Sequence, residues 1–199
     1  MFKIGFIGTG GISGAHLNYL MTRADVKIAA LCDIKPEALK NRMDEFGGKP
    51  YADFRTMLAD NALDAVWICT PPSVRREPLL ACAERGIPVF CEKPAERSVE
   101  MADRIVKELA SLKAHVQIGY VFRSTPLVQA IRKAIADDNI RLIQSFYGCP
   151  VSRDMDLPKW FYDQAQSGGA LVDQATHNID LLRYIFGEIR HVRGVAANP

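Results

Sequence analysis

Apolar residues over positions 1–120 recur in short runs set between amphipathic stretches. Residues 2–7 (FKIGFI), 26–32 (VKIAALC), 64–69 (DAVWIC), 87–91 (IPVFC) and 116–119 are the short runs. They lack strict apolar–polar alternation, which predicts strands buried on both faces. The intervening patterns at 14–21, 36–46, 53–59, 74–85 and 98–112 are helical in period. Pro36 stands at a first turn, Ser98 at an N-cap position and Gly86 just past an end, each where helix-terminus chemistry favours it. Strands alternating with helices predict a parallel sheet covered on both sides, the doubly wound α/β arrangement, over 1–120.

The remainder, 121–199, has another texture. A helix is predicted over 126–136, a strand over 140–147, and one long helix over 168–186. In that helix Leu171, Ala175, Ile179, Leu182 and Phe186 recur at helical spacing. Gly187 ends it, and a strand is predicted over 192–196. One or two strands and a helix leave sheet edges unpaired, so this α+β second domain reads as incomplete, a partial substrate or oligomerisation domain. Neither repeats nor low-complexity segments interrupt the chain.

Composition narrows the classes. Of 199 residues 48% are hydrophobic and 24% charged, with a formal net charge of +2; this is ordinary globular usage. Charges of both signs are interspersed, which argues against a nucleic-acid arm or a polybasic membrane patch. Glycines interrupt the apolar start, so it does not read as a signal peptide. No run approaches the roughly 18 apolar residues of a membrane span. Cys32, Cys69, Cys82, Cys91 and Cys149 form no CxxC pair and read as reduced thiols of a cytoplasmic protein. No His/Cys spacing suggests a metal site.

Gly8-Thr9-Gly10-Gly11-Ile12-Ser13 follows the first strand and opens the first helix. Gly8 permits the tight turn and Gly10 a close approach of backbone to pyrophosphate. Ser13, at the third-glycine position, is small enough for helix and strand to pack. Exposed N–H groups and the helix dipole then favour phosphate. Asp33 ends the second strand, a little over twenty residues on, where a carboxylate accepts both ribose hydroxyls and repels an added phosphate. The pair predicts a Rossmann domain that binds NAD in preference to NADP, although Lys35 lies close by.

Two further loops fall at the carboxyl ends of strands, where open parallel sheets bind ligands: Thr70-Pro71-Pro72 and Glu92-Lys93-Pro94. An ammonium at Lys93 can polarise a substrate oxygen or hold a ribose hydroxyl. Asp173 and His177, four apart on the predicted long helix, share a face. Such a histidine can take an alcohol proton as hydride leaves carbon, with the carboxylate orienting substrate or imidazole. The same pair also reads as a surface ion pair or a core histidine. His16, His115 and His191 read as structural or solvated, and Trp67 as core.

Together these residues resemble the Gfo/Idh/MocA family of NAD(P)-dependent oxidoreductases. The match rests on residues 8–13, on Asp64-Ala65-Val66 leading into Thr70-Pro71-Pro72, and on Cys91-Glu92-Lys93-Pro94. It continues through Gly119-Tyr120 and through Gly168-Gly169 to Asp173 and His177. The resemblance implies that Lys93 lies beside nicotinamide and substrate carbinol, that Thr70, Pro71, Pro72 and Glu92 contact the cofactor, and that Lys93, Asp173 and His177 are the acid–base set. It places Tyr120, Arg123 and Trp160 near the substrate. Two departures bear on substrate identity more than on reaction type. Arg75, counted with the cofactor-binding residues, stands where the family often has histidine, and Phe161 follows Trp160 where an arginine is usual. The implied function is hydride transfer between NAD and a carbinol of a sugar, inositol or related polyol, in a full-length form that oligomerises. The family runs longer, so the chain reads as a fragment of such an enzyme. The alternative is a catalytically silent NAD-binding or regulatory protein of the same fold.

Overall fold

The computed structural model describes residues 1–148 and 157–195. Its strands are β1 (Phe2–Ile7), β2 (Val26–Cys32), β3 (Lys49–Tyr51), β4 (Ala65–Ile68), β5 (Val89–Cys91) and β6 (Val116–Ile118). All pair in parallel, in the order β3-β2-β1-β4-β5-β6. The order reverses between β1 and β4, the point at which doubly wound sheets open a crevice beyond their carboxyl ends.

Helices α1 (Gly11–Met21), α2 (Pro36–Phe46), α3 (Phe54–Asp60), α4 (Arg76–Ala83) and α5 (Val99–Ser111) connect the strands. Leu17 and Leu20 of α1 and Leu39 and Phe46 of α2 join Ile4, Phe6, Ile28 and Leu31 in one buried cluster. Met57, Leu79, Cys82 and Ile105 join Ile7, Val66, Ile68 and Cys91 in the other. Alternate residues of β1 feed the two cores, as period-two side-chain geometry requires; on β2 the register shift opposite Ile4 and Gly5 breaks the alternation, so Ile28 and Leu31 share one cluster. Trp67 is only half-buried, lying 5.9 Å from the ring of Phe6 and 5.6 Å from that of Phe90.

Local chemistry sets the boundaries. Ser98 Oγ accepts from the Met101 amide and Asp53 from the Thr56 amide, which satisfies helix-start donors. Asp53 thus caps α3, which begins one residue later than 53–59 predicts. The helix predicted over 74–85 divides into a 3-10 turn at Pro72–Val74 and α4. β3, whose three residues include a proline, has no counterpart among the predicted strands.

The described residues fall into two compact units: those within Met1–Gly119 and Asp156–Asp173, and those within Tyr120–Met155 and Gln174–Pro199. The first holds the sheet and three short helices, α7 (Lys159–Tyr162), α8 (Gln164–Ser167) and α9 (Gly169–Asp173). The second holds a 3-10 turn at Val121–Ser124, α6 (Pro126–Ala134) and α10 (Thr176–Phe186).

Three expectations need correction. The helix predicted over 168–186 is two helices, interrupted at residues 174 and 175. Leu171 is 69% exposed, so the apolar stripe drawn from it is not a buried face. Residues 140–147 and 192–195 form no strand, although their composition favours one, because strands need partners for their backbone groups and none pairs with them among the described residues. Cys149 and Ala196 lie outside the described residues. No helix among the described residues is long and apolar enough to cross a membrane.

Candidate active site

The first loop is built around a turn that glycine alone fits. Gly8 has φ +92°, and a Cβ there would lie 2.7 Å from the Cys69 carbonyl carbon. Its amide donates to the Cys32 carbonyl at 2.8 Å, and the Cys69 amide to Ile7 at 2.8 Å. The turn is thereby seated on both neighbours of β1. Gly10 is the N-cap of α1 and caps it with no side chain, so amides of the first turn keep their donors for another acceptor. A Cβ at Gly10 or Gly11 would meet nothing within 4 Å. Ile12 is 49% exposed, whereas Ser13 is buried and donates to the Gly10 carbonyl at 2.6 Å.

Asp33 is bound into this loop. One carboxylate oxygen accepts the Thr9 amide at 2.7 Å and the Thr9 hydroxyl at 3.0 Å, and the other accepts the Lys35 amide at 2.8 Å. An ionised carboxylate has about four acceptor positions, so capacity remains for further donors. Nothing in the residue spacing signalled that Thr9 would hold Asp33.

Beyond β4, Pro71 and Pro72 lead into the 3-10 turn. The Thr70 hydroxyl is buried and has no hydrogen-bond partner among the described residues, so it can bond a ligand or a water. Arg75 is buried and turned inward. Its Nε donates to the Thr70 carbonyl at 2.8 Å, and its Nη1 to the Glu92 carbonyl at 2.7 Å and to the Pro94 carbonyl. Burial lowers its pKa, opposed by the fields of Cys91, Glu92, Cys69 and Asp173.

After β5, the buried Glu92 carboxylate meets His16 Nε2 of α1 at 2.7 Å and accepts the Lys93 amide at 3.1 Å. The imidazole is edge-on to Phe90, with centroids 4.9 Å apart. His16 therefore ties the glycine-loop helix to the Glu92-Lys93-Pro94 loop. Spacing could not show this pairing, which joins residues 76 positions apart. The ammonium of Lys93 donates to the Asp173 carbonyl at 2.8 Å and lies 3.4 Å from its carboxylate. Asp173 ends α9, where helix carbonyls lack intrahelical donors and favour a cation. α9 is fixed by Gly168, which has φ +83° and whose Cβ would come within 2.9 Å of the Arg97 carbonyl. Trp160, half-buried in α7, has its ring centroid 5.8 Å from that of Phe161.

In the second unit, the His177 ring lies 4.8 Å from Phe122 and edge-on to Tyr120 at 6.3 Å. The Tyr120 hydroxyl shares a hydrogen bond of 3.0 Å with Thr176. Arg123 forms a two-point ion pair with Asp180, one contact at 2.8 Å. Asp173 and His177 lie on separate helices, so the shared-face argument for them does not hold. Lys93 and Asp173 meet within the first unit. Among the described residues no three His, Cys, Asp or Glu side chains gather to hold a metal ion.

Uncapped amides over open space, a turn admitting no Cβ and an unpartnered buried hydroxyl all fit a dinucleotide at the first unit. Residues 2–120 match the family model described as "Oxidoreductase family, NAD-binding Rossmann fold", and residues 128–199 match the GFO/IDH/MocA C-terminal domain. The chain is 31% identical over 189 residues to an inositol 2-dehydrogenase of Rhizobium meliloti, covering 94% of this chain and 55% of that protein. It is 31% identical over 207 residues to a levoglucosan dehydrogenase of Pseudarthrobacter phenanthrenivorans, covering 97% of this chain and 53% of that one. The crystal structure of the WlbA dehydrogenase from Bordetella pertussis with NADH and UDP-GlcNAcA superposes with a TM-score of 0.83 at 27% identity. It covers 94% of this chain and 55% of that one. The chain thus spans about half the length of the relatives it matches.

Proposed function

The chain belongs to the Gfo/Idh/MocA oxidoreductases, and from that premise we propose that it transfers hydride between NAD and a carbinol carbon of a sugar, inositol or related polyol. The single observation behind this reading is Lys93. Its ammonium stands at the carboxyl edge of the sheet, 15% exposed, on a loop tied to the glycine-loop helix through Glu92 and His16.

NAD supplies the hydride acceptor carbon. The amides at Gly10 and Gly11 hold its diphosphate, and Asp33 takes the adenosine ribose hydroxyls. The Thr70 hydroxyl offers a further donor. Lys93 polarises the substrate oxygen, and its bond to the Asp173 carbonyl aims the ammonium. A cation there stabilises the developing alkoxide. His177 is the proton acceptor in this reading, on the strength of its place in the Gly-Gly…Asp…His pattern. Tyr120, Arg123 and Trp160 are assigned to the substrate on the same basis. The relatives named for inositol and for levoglucosan support a polyhydroxylated substrate.

The test is NAD binding by calorimetry, followed by absorbance of reduced cofactor with a panel of inositols, aldoses, anhydrosugars and nucleotide sugars. Lys93→Met and His177→Ala are each expected to abolish turnover and leave NAD binding measurable. Turnover that survives both substitutions overturns the assignment of those residues, and absence of NAD binding overturns the whole reading. NAD binding without turnover on any panel member favours the silent alternative.

A further inference from the structure

Arg75 is a buried cation whose hydrogen bonds go to carbonyls. It is 4% exposed, and its acceptors are the carbonyls of Thr70, Glu92 and Pro94. A guanidinium taken out of water costs several kcal/mol unless its donors are met. Three carbonyls from two loops take up the Nε and Nη1 donors here. One loop follows β4 and holds the unpartnered Thr70 hydroxyl. The other follows β5 and has Lys93 between two of the three acceptors. The fork of donors is planar and rigid, so it fixes the spacing of the two loops and the orientation of the peptide planes on each side of Lys93.

We propose that Arg75 is a positioning residue, holding the loops after β4 and β5 in register so that Lys93 meets the Asp173 carbonyl and the Thr70 edge faces the cofactor. It acts through the loop carbonyls, to which its Nε and Nη1 donors are turned, and this role replaces the direct cofactor contact expected of Arg75 from the sequence. This rests on the assignment of Lys93 to the site made above. Packing alone needs only the apolar stem of the side chain. Positioning needs the fork, because one ammonium cannot span both loops in the same geometry.

Arg75→Met keeps the stem and removes the donors, and Arg75→Lys keeps the charge and removes the fork. Three quantities are measured on the purified chain: the Kd for NAD, the melting temperature, and the rate at which Lys93 is acylated by an N-hydroxysuccinimide ester, followed by peptide mass spectrometry. Lys40, 68% exposed on α2, is the internal reference. Removing the partners that orient metal ligands costs about 10–100-fold in affinity or activity, and a loss of about tenfold is expected for the support of these two loops. The expected result for Arg75→Met is that loss for NAD, with Lys93 labelling raised several-fold and Lys40 labelling unchanged. Arg75→Lys is expected to show the same two changes to a lesser degree while melting close to the parent. A folded Arg75→Met chain that binds NAD within twofold of the parent and labels Lys93 at the parent rate overturns the inference. If Arg75→Met does not fold, unchanged Lys93 labelling in Arg75→Lys overturns it instead. Failure of the parent chain to bind NAD sinks the proposed function, and the Lys93 labelling still decides the role of Arg75.

Discussion

Alanine at Gly8 and alanine at Gly10 add the same methyl group two residues apart, with opposite expected consequences. At Gly8 the backbone has φ +92°, and the new Cβ would lie 2.7 Å from the Cys69 carbonyl carbon and 2.8 Å from the Thr70 amide nitrogen. Those are backbone atoms where the chain leaves the central strand β4, so no rotamer relieves the clash. Adverse φ and overpacking each cost about 1–3 kcal/mol, and a combined loss of about 3 kcal/mol is expected. At roughly 2–4 °C per kcal/mol for a chain of this size, the melting temperature falls by about 6–12 °C. Gly10 has φ −68° and ψ −168°, which any residue adopts, and its Cβ meets nothing within 4 Å. Restricting the unfolded chain and weakening the N-cap oppose each other, so stability changes by less than about 1 kcal/mol. The open space is nevertheless where a phosphate oxygen must come within about 3 Å of the loop amides. A methyl group there holds it off, and NAD affinity is expected to fall at least tenfold, about 1.4 kcal/mol. Thermal melting and calorimetric titration on the two variants read both quantities. Gly10→Ala binding NAD like the parent, or Gly8→Ala melting with it, would refute the reasoning.

The other predictions use the same measurements. Asp33→Asn keeps the shape of the side chain and removes its charge; the ratio of NADP to NAD dissociation constants is expected to fall about tenfold, and an unchanged ratio contradicts the role given to Asp33. Burial pushes the thiols of Cys32 and Cys82 up to about 12 and that of Cys91 up to about 11, from 9.0. The fold keeps these groups protonated where the unfolded chain ionises, so their stability is fully present below pH 9 and is lost as pH rises from there towards 11–12. Each thiol contributes about 1.4 kcal/mol per pH unit in that window; the urea midpoint should drop between pH 8 and pH 10, less so in Cys91→Ala, and a flat profile refutes the burial argument. Gly168→Ala forces a Cβ against the Arg97 carbonyl at φ +83° and should cost about 2–3 kcal/mol, read as a lower denaturation midpoint.

What the sequence discloses and what it withholds divide along the range of the interactions. β1, β2 and β4 are readable because short continuous apolar runs bounded by turn residues have few other uses, and α5 because Ser98 and an apolar period mark it from within. The glycine loop is readable because a positive φ and a close backbone approach each exclude side chains, leaving a trace at fixed offsets. β3 leaves no such trace: its three residues, one a proline, take strand geometry only because β2 is there to pair with. The reverse error at 140–147 has the same cause, since apolar composition favours a strand but does not supply a neighbour. The site follows this rule as well. Lys93 can be singled out from its place after a strand, but its acceptor is the backbone carbonyl of Asp173, 80 positions away, and a carbonyl has no sequence signature. Arg75 presents the sharpest case, because all its acceptors are main-chain atoms. A residue whose partners are all backbone, as those of Arg75 are here, shows its role only once the chain has folded. Substitutions at Arg75 should therefore alter this site while leaving the glycine loop, the Glu92-Lys93-Pro94 block and the Gly-Gly…Asp…His pattern intact.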